Sequence, residues 1–351
     1  MRALQGRVKR LFKELAAAGK HVDCVAIASS APDPNFLCLA GLSQGVFEHS
    51  LLVASQSGLQ AVVPRLELPS VPSGVEAFAY SSTAEKRALA KQLLKGFGRV
   101  GCDEKTISHA NYLLLSRCSK KLVGVSRELA LTRGVKEPRE VKAISAAARL
   151  TRKAIGAALD ELQEGDSEQE LAARIAVAFA EENAAPAFDS ICAFGGNTAV
   201  PHHVVSRKSA RRGDFVLVDA GARLAGYCAD LTRTIVLGRE PSAAQASMLE
   251  AVEGALQAAL RRLRPGVRAS KVHAAASQLI DSSGFKGRFI HSAGHSIGLS
   301  VHDGLRLSAK ADFALREGMV FAVEPAVYVP KIGGVRLEED VLVTKAGCRV
   351  L

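Results

Sequence analysis

Two hydrophobic rhythms alternate along this chain and divide it into two stretches. In the first, Leu4, Val8, Leu11, Phe12 and Leu15 fall on one face at helical spacing, predicting an amphipathic opening helix. A β-branched run over 22–28 predicts a strand, and the apolar runs 51–54 and 59–63 predict a strand pair turning at Gln56-Ser57-Gly58. Helical patterns cover 84–95 and 105–117, with a short strand near 98–102 between them. The alternation predicts a small α/β domain over 1–130. Within it Asp33, flanked by Pro32 and Pro34, reads as a loop residue, and Asp23 and His49 as surface residues.

A second unit, 131–351, follows. Pro138 suits a first helical turn, and Val141, Ile144, Ala148, Thr151 and Ile155 continue one long face. A second helix is predicted over 167–182, then strands near 188–194, 214–220 and 226–237. Ser242 and Gln245 form a capping box that opens a helix to about 262, stopped by Pro265-Gly266. Another helix over 269–282 precedes strands near 288–294, 319–325 and 335–345. The expected fold class is α+β.

Length agrees with two units, because 351 residues exceed what one hydrophobic core comfortably holds. No apolar run reaches the roughly 20 residues of a membrane span. The seven cysteines are scattered, odd in number and lack a CxxC, which argues against a disulfide framework and for a reducing cytoplasm. The basic, acid-poor N-terminus has transit-peptide composition, but its helical face reads more simply as a docked helix. The net charge of +11 raises a nucleic-acid partner. Its lysines and arginines are dispersed, however, and the one cluster (Arg207, Lys208, Arg211, Arg212) borders a Gly-Asp turn, so a solvated basic surface is expected and nucleic acid is not.

Acids embedded in apolar strands change the picture. Asp219 ends one alternating run and Asp230 begins another, with Gly221 and Gly226 to reverse the chain between them. A simple hairpin centred between Leu224 and Ala225 would set the two aspartates opposite each other. Opposed residues carry Cβ atoms roughly 4.5–5.5 Å apart, so two carboxylates there need a proton or a cation between them. The spacing recurs at Glu324 and Glu338, whose midpoint is Lys331. One such acid alone would read as a surface strand residue; two embedded pairs point to a divalent metal. His291, His295 and His302 lie within twelve residues, and His295 beside four carboxylates becomes a candidate ligand. Of the adjacent His202 and His203, at least one is expected to be structural or exposed.

The stretch Asp-Xaa-Gly…Gly-Tyr…Asp-Xaa-Thr-Arg-Thr (219–234), Gly-His-Xaa-Ile-Gly (294–298), Val-Glu-Pro (323–325) and Val-Arg-Leu-Glu (335–338) resembles the creatinase/prolidase-like metallopeptidases of the pita-bread fold. That family includes Xaa-Pro dipeptidases, Xaa-Pro aminopeptidases and methionine aminopeptidases. The resemblance implies a C-terminal pita-bread catalytic domain preceded by a smaller α/β creatinase-like domain. It implies that Asp219 chelates one of two metals, that Asp230 and Glu338 bridge both, and that His295 and Glu324 complete the other. It implies pocket roles for His202, His291 and His302, and an ordering role for Arg336. His302-Asp303 departs from the family's common His-Glu, and Cys228 near the ligands is a second departure.

On this reading two divalent cations, manganese or cobalt with zinc or iron as alternatives, activate a water for peptide hydrolysis. Glu324 serves as general base, and His202 and His302 hold the substrate. The implied substrates are dipeptides or short peptides with proline after the scissile bond, and the implied assembly is a cytoplasmic homodimer. Two other readings share the fold. One is a non-catalytic peptide- or nucleic-acid-associated binding protein; the other is the metal-independent creatine amidinohydrolase branch. Both lose metal ligands, whereas all five positions are filled here.

Overall fold

The computed structural model describes residues 2–351, with side chains from residue 6 onward, so Leu4 lies outside the described side chains. The chain divides into two compact units, Met1–Arg133 and Gly134–Leu351.

In the first unit, helix α1 (Arg2–Ala17) buries Val8, Leu11 and Leu15. A mixed six-stranded sheet follows, built from β1 (Cys24–Ala28), β2 (Leu51–Ser55), β3 (Gly58–Pro64), β4 (Glu76–Tyr80), β5 (Arg99–Cys102) and β6 (Lys121–Gly124). Its order is β4-β3-β2-β1-β5-β6. The helices α2 (Pro34–Ala40), α3 (Thr83–Leu94), α4 (His109–Cys118) and α5 (Ser126–Gly134) complete the unit. Asp33 is more than a loop residue. It caps α2, accepting from the backbone N–H of Asn35 (2.7 Å) and Phe36 (3.3 Å), with Pro34 opening the helix.

In the second unit, α6 (Pro138–Asp160), α7 (Glu168–Glu181) and α8 (Ala243–Leu260) each begin with a capping box. The fourth helix is α9 (Ala269–Ile280). In a small sheet, β7 (Ala185–Pro186) pairs with β10 (Ala222–Leu224), which pairs with β11 (Tyr227–Cys228). In a second sheet β8 (Ile191–Phe194) and β12 (Leu231–Val236) flank β9 (Phe215–Ala220), which is buried along its whole length. A third sheet runs β13 (Gly294–Ser296), β14 (Val320–Val323), β17 (Glu339–Val343), β18 (Cys348–Val350); β15 (Ala326–Val329) and β16 (Gly333–Arg336) form a separate pair. Ile155, Leu171, Ile175, Phe179, Phe194 and Val218 form part of one core joining α6 and α7 to the β9 sheet. Among the described residues no helix is long and apolar enough to cross a membrane.

Two sequence expectations change. The β9–β12 ladder pairs Asp219 with Thr232, so Asp230 is a diagonal neighbour of Asp219, not its partner. The reversal turns at Ala225-Gly226, both at positive φ (49° and 85°), as a two-residue hairpin turn requires. Its centre is one residue later than the expected one between Leu224 and Ala225, and this moves the register by two. The strand expected over 288–294 does not form either. Tyr328 donates to the Arg288 carbonyl (3.2 Å) and Ala293 donates to that of Leu307 (2.8 Å). Bonds to different neighbours replace a ladder, and regular structure begins only at Gly294.

Candidate metal centre

Three of the candidate ligands occupy breaks between strands. Asp230 lies between β11 and β12, Glu324 between β14 and β15, and Glu338 between β16 and β17. Pro325 cannot donate to a ladder, which favours the break beside Glu324. The β14–β17 and β15–β16 ladders share one register, with Val323 opposite Glu339 and Ala326 opposite Arg336. Glu324 and Glu338 therefore face each other across the gap between the two ladders. Asp219 projects from β9, and His295 from β13. A Cβ on Gly221 would come within 2.0 Å of the Ala229 carbonyl oxygen, so only glycine allows the close crossing that carries the chain from Asp219 to Asp230.

All five candidates, together with His202, His291, His302 and Arg336, line one cavity of about 820 Å³. Asp230, His295 and Glu338 are buried and offer ligand atoms all within 4.8 Å of one another. Glu324 stands at their edge, its Oε1 3.7 Å from His295 Nε2 and its Oε2 3.8 Å from His291 Nδ1. His295 Nε2 lies 3.5 Å from Asp230 Oδ2. Asp219 is drawn aside by Arg336, whose Nη2 donates to Asp219 Oδ2 at 2.6 Å. The same guanidinium donates from Nη1 to Tyr328 Oη (2.6 Å) and from Nε to Thr232 Oγ1 (3.1 Å).

Electrostatics show which partner the cluster favours. Burial, then the charges of Glu338 and Asp219, push the Asp230 carboxyl well above the usual range. Burial, then Glu324 and Asp219, does the same to Glu338, although Thr232 Oγ1 donates to it at 2.6 Å. Glu324 is pushed up to about 8, mainly by burial, with Arg336 opposing. Asp219 Oδ1 and Asp230 Oδ1 are buried without a hydrogen-bond partner. Burial lowers His295 to about 3, with His302 adding to the effect, so its ring is neutral. Its Nδ1 lies 3.3 Å from the Ser296 carbonyl, which places the N–H there and leaves the Nε2 lone pair facing Asp230 and Glu324. Four converging carboxylates, two orphaned oxygens and a neutral imidazole form a donor set that divalent cations fit.

The surroundings answer the smaller sequence questions. His202 lines the cavity, whereas His203 turns away and bonds Glu168 Oε2 at 2.8 Å. Asp303 is paired with Lys136 Nζ at 2.6 Å, both buried, so the shorter acid after His302 serves a salt bridge. His302 packs edge-on against His295, with ring centroids 4.3 Å apart. Cys228 is fully buried and its thiol is pushed up to about 11 by burial, which makes it inert. Among the described residues the cysteines form no disulfide. Sequence reasoning missed Tyr328, Thr232 and Glu168. Thr232 lies inside the Asp-Xaa-Thr-Arg-Thr stretch with no role legible there, Tyr328 is an ordinary strand residue by pattern, and Glu168 is one of several acids opening a helix.

Comparison with known proteins adds to this geometry. A model of metallopeptidase family M24 matches residues 142–345. An Xaa-Pro dipeptidase of Pyrococcus horikoshii is 40% identical over 233 residues, which cover 66% of this chain and 65% of that relative's length, just under two thirds. The crystal structure of the prolidase from Pyrococcus horikoshii superposes with a TM-score of 0.87 at 32% identity, over 98% of this chain and 97% of that one. An Xaa-Pro dipeptidase structure from Bacillus anthracis gives 0.89 at 28% identity, over 99% and 97%. The α+β pita-bread fold expected from the motifs is the fold of these neighbours.

Proposed function

Since the chain belongs to metallopeptidase family M24, we propose that it is an Xaa-Pro dipeptidase that uses two divalent cations. The observation that carries this reading is the convergence of Asp219, Asp230, His295, Glu324 and Glu338 on one cavity, with buried carboxylate oxygens left without donors. Similarity to Xaa-Pro dipeptidases supports the substrate class.

Asp219, Asp230, His295, Glu324 and Glu338 would hold the cations. Manganese or cobalt suits a set this rich in carboxylate. When bound, the cations supply an activated water and polarise the scissile carbonyl. The chain supplies the rest. Glu324 takes the proton from the attacking water and returns it to the proline nitrogen as the C–N bond breaks. His202 and His302, on the cavity wall, hold the peptide and stabilise the developing oxyanion. Arg336 fixes Asp219 and Tyr328 at once through its fork of donors. Phe188, Ile191, Val200 and Ile290 give the cavity an apolar wall suited to a proline ring or an apolar side chain. Seven scattered cysteines without a CxxC suit a reducing cytoplasm, and a homodimer is the assembly we assign.

The test is hydrolysis of Xaa-Pro dipeptides and Xaa-Pro-Xaa tripeptides by purified protein, with a chelator and after adding back manganese or cobalt. Dipeptide cleavage that disappears with chelator and returns with metal is expected. Tripeptide cleavage alone would assign the aminopeptidase activity instead, and no cleavage by metal-loaded protein would sink the peptidase reading in favour of a binding protein.

A further inference from the structure

Glu168, the first residue of α7, has no exposed surface and lies outside the metal centre. The helix does not need it as a cap, because Ser167 and Glu170 already form the capping box. Its two oxygens are nonetheless saturated. Oε1 accepts from Phe194 N (2.9 Å) and Asn197 Nδ2 (2.8 Å). Oε2 pairs with His203 Nε2 (2.8 Å) and accepts from Ser206 N (3.0 Å) and Ser206 Oγ (2.6 Å). Burial alone would raise this carboxyl; the donors from Ser206, His203, Asn197 and Phe194 outweigh it and hold it below the usual range.

One carboxylate thus ties both feet of the segment 194–206. Between the feet lie Val200, Pro201 and His202, all on the cavity wall. The other side of the segment is pinned by Gly334 N, which donates to Thr198 Oγ1 at 2.7 Å. Arg336 Nη1 reaches the Pro201 carbonyl at 3.4 Å. Holding His203 on Glu168 leaves its neighbour His202 turned into the cavity.

We propose that Glu168 is a positioning residue for peptide hydrolysis, acting through the 194–206 segment to place His202 against the substrate. This rests on the dipeptidase reading above. A carboxylate is needed because a glutamine in its place would keep one acceptor oxygen and present donors where His203 and Ser206 also donate.

The experiment is a double-mutant cycle on Xaa-Pro dipeptide hydrolysis with metal-loaded protein. Glu168→Gln alone should lower kcat/KM by about 10–100-fold, the range a small misplacement of a substrate-holding group produces, with bound metal unchanged. In a His202→Ala background Glu168→Gln should lower it by less than about 2-fold, because neighbours that act as one unit are not additive. His203→Leu should reproduce the loss, and His203→Gln, which keeps a donor, should recover most of it. Wild-type kinetics per folded molecule in Glu168→Gln, even with a lowered Tm, would overturn the role, and so would full multiplication of the two single effects. An inactive wild type would instead overturn the dipeptidase reading and the role with it. Should Glu168→Gln not fold, Ser206→Ala and His203→Leu run the same cycle against His202→Ala.

Discussion

Glu168 and Glu338 belong to the same unit and are both buried, at 0% and 2% exposure, yet burial has opposite consequences for them. Glu168 is surrounded by donors and its carboxyl is held low. Glu338 has Thr232 as a donor but is crowded by Glu324 and Asp219, and its carboxyl is driven well up. A buried acid is therefore not in itself the mark of a metal site. The mark is a buried acid whose neighbours repel it, since that charge is stable only with a cation nearby.

If this contrast is right, removing the cations should have the largest effect of any perturbation. A chelator should abolish hydrolysis and lower stability, by about 4 kcal/mol when free metal had stood at 1,000 times its Kd. Thermal melts with and without chelator, read beside activity, check this. A Tm and an activity indifferent to chelation would break the comparison at its root. Glu338→Ala comes next. It should lower kcat/KM by more than the roughly 10–100-fold typical of groups that only support ligands, and bound metal should fall with it. Elemental analysis of the purified variant is the check, and full metal content with full activity would be the wrong outcome.

A sharper test pits the two glutamates against each other in chelated protein. Glu338→Gln removes one charge from a repelling cluster and should leave stability unchanged or raise it by about 1 kcal/mol. Glu168→Gln leaves buried donors unmatched and should cost about 2 kcal/mol. Urea unfolding of both variants gives the signs directly. Two losses of similar size would mean that both acids are ordinary structural residues.

The sequence showed part of this contrast. Acids inside apolar runs were enough to point to a metal, because such runs have no ordinary use for a charge. The Glu324–Glu338 register was also readable, since Lys331 is midway between them and sits at the centre of the turn with φ 70°. The Asp219–Asp230 register was not. An alanine at positive φ, Ala225, begins the turn where sequence rules look to glycine. The strand breaks that free Asp230, Glu324 and Glu338 to converge were hidden as well, because the apolar pattern runs on through them. Glu168 gave no local signal at all. What distinguishes it is the arrival of Phe194, Asn197, His203 and Ser206 from a distant segment, and only the folded chain brings them together.

The smallest expected effect is also the most specific, a pH dependence in the cost of Glu168→Gln. The folded-state carboxyl lies below its unfolded value of about 4.3, so its contribution is complete above that pH. As pH falls through the depressed folded value, Glu168 takes up its proton in the folded state too, and the advantage over glutamine disappears. The groups around it do not cancel this. His203 faces it as a donor, Lys208 Nζ is spent on the Phe194 carbonyl at 2.6 Å, and burial keeps the Cys192 thiol raised and neutral. The stability gap between wild type and Glu168→Gln should be full above about 4.3 and narrow progressively as pH falls below it. Urea midpoints across that range measure it. A gap that persisted undiminished at acid pH would show that shape at position 168, not the charge that separates it from Glu338, holds the segment.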